Sequence, residues 1–157
     1  MSISEKDLFD ARTAWGNGLI EISETFENEG IEMATSLASD MIDNLYGFNF
    51  GEVLFKPTLS GGSQTFRPTK EGALSYFVGQ NPAYPNDSGF GIKFWREINS
   101  DTAATFIDDT VAMWMGWVTF TDRTGDTIKV DKSFGYRRAA DGSLKVVLHH
   151  SSLPYTG

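Results

Sequence analysis

From Ile92 onward the chain follows one pattern: runs of alternating apolar and polar residues, cut by short breaks rich in Asp, Asn and Gly. Neighbouring side chains on a strand point to opposite faces, so a run with period two has one face to bury and must pair with others like it. The spacing predicts extended segments over 92–98 and 103–107, with Asn99-Ser100-Asp101 as a turn between them. Longer strands are expected over 111–121, 127–138 and 144–152. Asp122-Arg123-Thr124-Gly125-Asp126 and Ala140-Asp141-Gly142-Ser143 separate these three as hairpin loops.

The other half has a different period. Leu8, Ala11, Trp15, Leu19, Ile22 and Phe26 recur every three or four residues, which places one apolar stripe on a helix over 5–28. Ser4 and Asp7 form a capping box at its start. Gly16 and Gly18 mark a close approach of another element beside Trp15. A second helix carries Ile31, Ala34, Leu37, Ala38, Met41, Ile42 and Leu45, and closes near Tyr46-Gly47, where the glycine is expected in a left-handed cap. A short extended run over 52–59, the loop Ser60-Gly61-Gly62-Ser63, extended Phe66-Arg67 and a short helix from Thr69 to Val78 follow. Residues 80–91, with two prolines and two glycines, form the longest irregular stretch before the strands. Helices first and strands afterwards describe an α+β fold, and no linker or repeat divides residues 1–157 into more than one domain.

Charge and composition exclude several classes of function. With 21 acidic against 13 basic residues the net charge is −8, a surface that repels phosphate backbones and anionic membranes. There is no cysteine, hence no disulfide, no thiolate zinc site and no Cys nucleophile, and a cyclohydrolase with cysteine-bound zinc is ruled out. Two histidines cannot build a His-rich metal site, and neither a phosphate-binding loop nor a dinucleotide fingerprint occurs, so no cofactor is expected. Met1 to Asp10 lack an apolar leader, which makes the cytoplasm the expected compartment.

The order of elements resembles the SnoaL-like, nuclear transport factor 2-like cone. Tyr136-Arg137-Arg138, the Asp141-Gly142 turn and Val146 to Pro154 are similar to the ending of the calcium/calmodulin-dependent protein kinase II association domain, with His149, Ser151 and Pro154 in the places of its His-x-Ser-x-x-Pro pattern. The resemblance implies a strongly curved antiparallel sheet wrapped round the first helix, with a pocket at one end. It also puts Trp117, Phe134 and His150 where that domain has pocket arginines, so the carboxylate-binding cluster is replaced by aromatic groups, with Lys132 as the remaining cation.

Several candidate residues follow. Trp15, Phe55, Tyr76, Met115, Trp117, Lys132 and Phe134 are expected to line a pocket for a flat, apolar small molecule. His150 and Tyr136 are the candidate acid–base groups if the domain is an enzyme, and the resemblance then implies an isomerase, dehydratase or cyclase. The favoured expectation is a binding domain without turnover; a ligand-free association module is the third alternative. A buried polar group at the pocket base, with its pKa displaced, would mark the enzyme. His149 and His150 point to opposite faces, so they cannot share a metal, and His150 cannot pair with Ser151 as base and nucleophile. Lys56 and Arg67 are expected to be solvated charges near the pocket mouth. On the strand over 111–121 both faces are apolar (Met113, Met115 and Trp117 on one, Ala112, Trp114, Val118 and Phe120 on the other), which predicts a homodimer through the sheet.

Overall fold

The computed structural model describes residues 2–157. Helix α1 spans Glu5–Glu29 and α2 spans Ile31–Leu45, while a shorter α3 spans Lys70–Val78. The strands are β1 (Leu54–Lys56), β2 (Trp95–Ile107), β3 (Val111–Asp122), β4 (Thr127–Arg138) and β5 (Leu144–Ser152). They form one five-stranded sheet in the order β1-β5-β4-β3-β2. Only β1 pairs in parallel, with β5; the other three pairings are antiparallel. This is the expected α+β cone, with the helices packed in a curled sheet.

The capping box forms as expected: the Asp7 N–H donates to Ser4 Oγ at 3.1 Å, and the Ser4 N–H donates back to the Asp7 carboxylate at 2.9 Å. Gly30 ends α1 at φ 93°, and α2 begins at once. The close approaches at the two helix glycines are real. A Cβ on Gly16 would lie 3.4 Å from Ile98 of β2, and one on Gly18 would lie 3.0 Å from the Met41 sulfur of α2.

Three local expectations are corrected. Asn99-Ser100-Asp101 is not a turn, because it pairs with β3 throughout; the register shifts of β2 lie on either side of it, between Trp95 and Glu97 and, as a bulge, between Thr102 and Ala104. On an exposed edge strand polar residues need no loop to reach water. At that bulge the backbones press together: a Cβ on Gly116 would stand 2.1 Å from the Asp101 carbonyl. Phe66-Arg67 forms no strand, although the Arg67 N–H donates to the Phe55 carbonyl at 2.7 Å. Gly47 is not left-handed; α2 ends on an extended Tyr46, and a Cβ on Gly47 would meet the Phe50 ring at 2.9 Å.

A further register shift, between Gly135 and Tyr136, lies where β4 meets β5. Bulges raise local twist and bend the strand that carries them, so these irregularities curl the sheet round α1. Leu8, Trp15, Leu19 and Ile22 of α1 fill the concave side against Trp114, Phe120, Phe134 and Tyr136, all of them buried. Each such side chain contributes about 1.5–3 kcal/mol of transfer free energy. The convex side of β3 is different: Met113, Met115 and Trp117 are exposed there.

Candidate active site

Strand register decides which groups face the interior. Phe134 pairs with His149, Lys132 with Ser151, and Trp114 with Phe134. These five lie on the concave face and are buried. Trp117 pairs with Asp131, and Ser133 with His150, on the convex face. The shared hollow of Trp117, Phe134 and His150 expected from the resemblance therefore does not exist. His150 is exposed, and Met115 and Trp117 are 57% and 37% exposed on the same outer side. The cause is the parity of a strand: aligning on the family ending put the odd partner inward at both ends. Trp15, Phe55, Tyr76, Lys132, Phe134 and Tyr136 are all buried, as expected of interior groups. Tyr136, the other acid–base candidate, has a hydroxyl with no hydrogen-bond partner, and burial pushes its pKa up, so it holds its proton.

Nor is the interior a roomy aromatic pocket. The His149 ring lies 4.7 Å from Phe55 in a stack, 4.4 Å from Phe134, and 5.5 Å from Trp15 edge-on. A cleft of about 280 Å³ between α1 and β2, lined by Arg12, Ser100, Val118 and others, reaches the Trp15 and Phe134 side of this packing.

At the other end of the packing sits a cluster of hydroxyls. The parallel pairing of Phe55 with His149 carries the chain past Pro57 and sets Thr58 beside Ser151. Their hydroxyl oxygens are 2.5 Å apart, and both residues are buried. Tyr76, from α3, brings its phenol to the same place, where it accepts the Leu59 N–H at 3.2 Å. Burial pushes the Tyr76 pKa up to about 12, the Leu59 N–H and the Thr58 hydroxyl working weakly against it. At neutral pH the phenol is thus a hydrogen-bond donor and not a base. Lys56 of the edge strand donates to the Ser151 carbonyl at 2.7 Å and steadies the end of β5, so it is not a free surface charge.

Beside the hydroxyls lies a second buried polar group. Lys132 is 3% exposed, and its Nζ lies 2.9 Å from His149 Nε2. His149 Nδ1 in turn lies 2.9 Å from the Tyr46 hydroxyl, which accepts the Trp15 indole N–H at 2.9 Å. Burial pulls the Lys132 pKa down to about 7, with the Lys56 charge adding to the effect. Burial and the Lys132 charge likewise hold His149 well below the ordinary histidine range, so it is neutral.

Arg67 corrects another expectation, since it is a buried ion-pair partner and not a solvated charge. Its guanidinium grips both Asp87 oxygens at 2.8 Å and donates to the Gly72 carbonyl at 2.9 Å. Ser75 also donates to Asp87, at 2.6 Å. The irregular stretch over 80–91 is thereby pinned to α3, one residue from Tyr76.

Sequence reasoning did not single out Thr58, Ser151, Tyr46 or His149 as interior functional groups. For His149 and Ser151 the signal was present in the His-x-Ser pattern, because residues two apart share a face. Thr58 follows a proline in a loop and Tyr46 ends a helix, and neither position has a periodicity to read. Among the described residues, no three His, Asp or Glu side chains are grouped so as to hold a metal ion, and no helix is long and apolar enough to cross a membrane.

A family model described as metal-independent carbonic anhydrase matches residues 6–153. A metal-independent carbonic anhydrase of Nostoc sp. strain PCC 7120 is 44% identical over 154 residues, which covers 98% of this chain and 75% of that one. The chain belongs to the metal-independent carbonic anhydrase family. A crystal structure of a cyanobacterial iota-carbonic anhydrase complexed with bicarbonate superposes with a TM-score of 0.98 at 44% identity, over 99% of this chain and 95% of that one. A protein from Xanthomonas campestris, described as a calcium/calmodulin-dependent protein kinase II association domain, shares the fold with a TM-score of 0.56 at 20% identity, over 96% of this chain and 85% of that one. The likeness seen at the C-terminus is thus one of architecture. Membership in a carbonic anhydrase family overturns the expectation of a binding domain without turnover, and with it the ligand-free association module. An enzyme family without a metal cofactor replaces both.

Proposed function

We propose that this chain catalyses the reversible hydration of carbon dioxide to bicarbonate, and that the reaction takes place at the Thr58–Tyr76–Ser151 hydroxyl cluster. The observation that carries the reading is a group of buried hydroxyls, two of them 2.5 Å apart, in a chain 44% identical along nearly its whole length to a carbonic anhydrase.

The chemistry fits the groups. Carbon dioxide is small and apolar, and it needs no large cavity; the Phe90 ring stacked 5.6 Å from Tyr76 supplies an apolar wall. As water adds to the carbon, negative charge grows on the carbonyl oxygens. Hydroxyl donors already held in place stabilise that charge without reorganising, and they act more strongly in a dry interior than in water. Tyr76 keeps its proton across the neutral range and so can donate throughout. Thr58 and Ser151 each have one proton to give, and a bound anion would replace their mutual hydrogen bond with two directed at it.

Stopped-flow hydration of carbon dioxide with a pH indicator tests this reading. The purified protein, treated with dipicolinate to remove metals, is expected to accelerate hydration above the buffer rate as well as the untreated protein does. No acceleration over buffer would remove the proposed activity. Loss on chelation with recovery on adding zinc would remove its metal independence. The homodimer expected from the two apolar faces of β3 stays a proposal, supported by the exposed stripe of Met113, Met115 and Trp117.

A further inference from the structure

We propose that the cleft beside Arg12, between α1 and β2, is a second binding site, and that it takes a small organic carboxylate with a flat apolar body, such as an aryl acid. The site is separate from the hydroxyl cluster, since none of Thr58, Tyr76 and Ser151 lines it.

Arg12 is the one charged residue in the lining. It is half-buried, and aromatic rings hold it by its flat sides. The guanidinium carbon lies 4.7 Å from the centre of the Trp114 ring and 5.8 Å from that of Phe9. Stacking of this kind engages the faces of a guanidinium and leaves the N–H groups, which lie in its plane, able to donate. Nε–H makes one long bond, to the Ser100 hydroxyl at 3.4 Å, and the other donors have no partner among the described residues.

The charge is unmet as well. Among the described residues no carboxylate forms a salt bridge with Arg12. Two titratable groups act on it by charge, Tyr136 and Glu5. Tyr136 holds its proton, and the Glu5 carboxylate accepts the Thr105 hydroxyl at 2.6 Å. Burial lowers the Arg12 pKa more than either neighbour raises it, as expected of a cation short of counter-charge. In a chain with 21 acidic and 13 basic residues, a half-buried arginine left without an acid is a place for an anion from outside. A carboxylate suits it, because its two oxygens match the paired donors of the guanidinium.

The rest of the lining selects among anions. Trp15, Val118 and Phe134 are buried and form the inner wall, while Asn17, Asn99 and Ser100 are exposed and form the rim. Bicarbonate has no apolar surface to set against such a wall; an aryl carboxylate has. A volume of about 280 Å³ lies at the small end of ligand pockets. Gly16 of α1 also lines the cleft. Glycine inside a helix is unfavourable, and here packing would accept more, since a Cβ would meet Ile98 in ordinary contact at 3.4 Å. Leaving that side chain out keeps room between α1 and β2.

Benzoate is the probe, titrated into the whole protein with binding read by intrinsic fluorescence and ¹H–¹⁵N spectra. Saturable binding is expected, with the Arg12 Nε–H and Trp15 indole N–H resonances moving. Arg12→Met, which keeps the apolar contact with Trp114, is expected to weaken binding by about 10- to 100-fold, and Ser151→Ala to leave it unchanged. Benzyl alcohol, of the same shape without the charge, and chloride, the charge without the body, are each expected to bind at least 10-fold more weakly. The proposal is overturned by no saturable binding, by wild-type affinity in a folded Arg12→Met, by loss of binding in Ser151→Ala, or by equal affinity for chloride or benzyl alcohol. Circular dichroism reports whether Arg12→Met folds. If it does not, the wild-type spectra decide: movement at Arg12 Nε–H supports the site, and movement confined to Thr58 and Ser151 contradicts it.

Discussion

Ser151→Ala is expected to lower kcat for carbon dioxide hydration by about 10²- to 10³-fold, the effect of deleting one pre-positioned donor at a developing oxyanion. The hydroxyl is buried, and its partner is the Thr58 hydroxyl at 2.5 Å. Removing it leaves Thr58 without its partner, which costs about 1–3 kcal/mol of stability, so the protein still folds. Thr58→Val, nearly the same shape, is expected to act alike. Combining the two should cost less than the product of the single effects, because both hydroxyls serve one ligand and one another. Tyr76→Phe should lose a similar factor, and it also leaves the Leu59 N–H without the acceptor it has at 3.2 Å. The checks are kcat and KM from stopped-flow traces, with melting curves for each variant. Wild-type kcat in Ser151→Ala would move the chemistry away from this cluster.

Asp87→Ala is the second large effect, and it acts on stability first. Arg67 and Asp87 are 3% and 4% exposed at the side chain, and the pair carries hydrogen bonds from Ser75 and to Gly72. The Arg67 guanidinium also packs 4.5 Å from the Tyr84 ring. Alanine leaves a buried guanidinium with no counter-charge, a loss of about 3–5 kcal/mol. In a chain of this length that corresponds to a fall in melting temperature of roughly 6–20 °C. The exposed Lys6–Asp10 pair on α1 gives the contrast, since Asp10→Ala should leave the melting temperature unchanged. Replacing both partners, Arg67→Met with Asp87→Leu, should recover much of the loss. Because Ser75 and Tyr76 are neighbours on α3, activity in Asp87→Ala should fall even below its melting temperature. A melting temperature like that of wild type would show the pair to be replaceable by water.

Much of the fold was legible, and for a physical reason. Period-two and period-3.6 patterns report burial directly, so α1, α2, β3, β4 and β5 were placed within a residue or two. Features set by other parts of the structure were not legible. Whether Asn99-Ser100-Asp101 turns or continues depends on the partner that β3 offers, and nothing local encodes that. The candidate site divided along the same line. Trp15, Phe55, Tyr76, Lys132 and Phe134 are large or charged groups on apolar stripes and were found inside. His150, Met115 and Trp117 went to the wrong face because a one-residue offset inverts a strand, and the resemblance used to align them was one of architecture. Thr58 carries no signal of its own; it joins the hydroxyl cluster only when a parallel β1 brings it to Ser151.

The most direct measurement is a crystal structure of this protein grown with bicarbonate and refined beside one grown without it. A trigonal anion within hydrogen-bond reach of Thr58 Oγ1, Tyr76 OH and Ser151 Oγ is the expected result. Bicarbonate seated instead in the Arg12 cleft between α1 and β2, with the hydroxyls still bonded to one another, would contradict it.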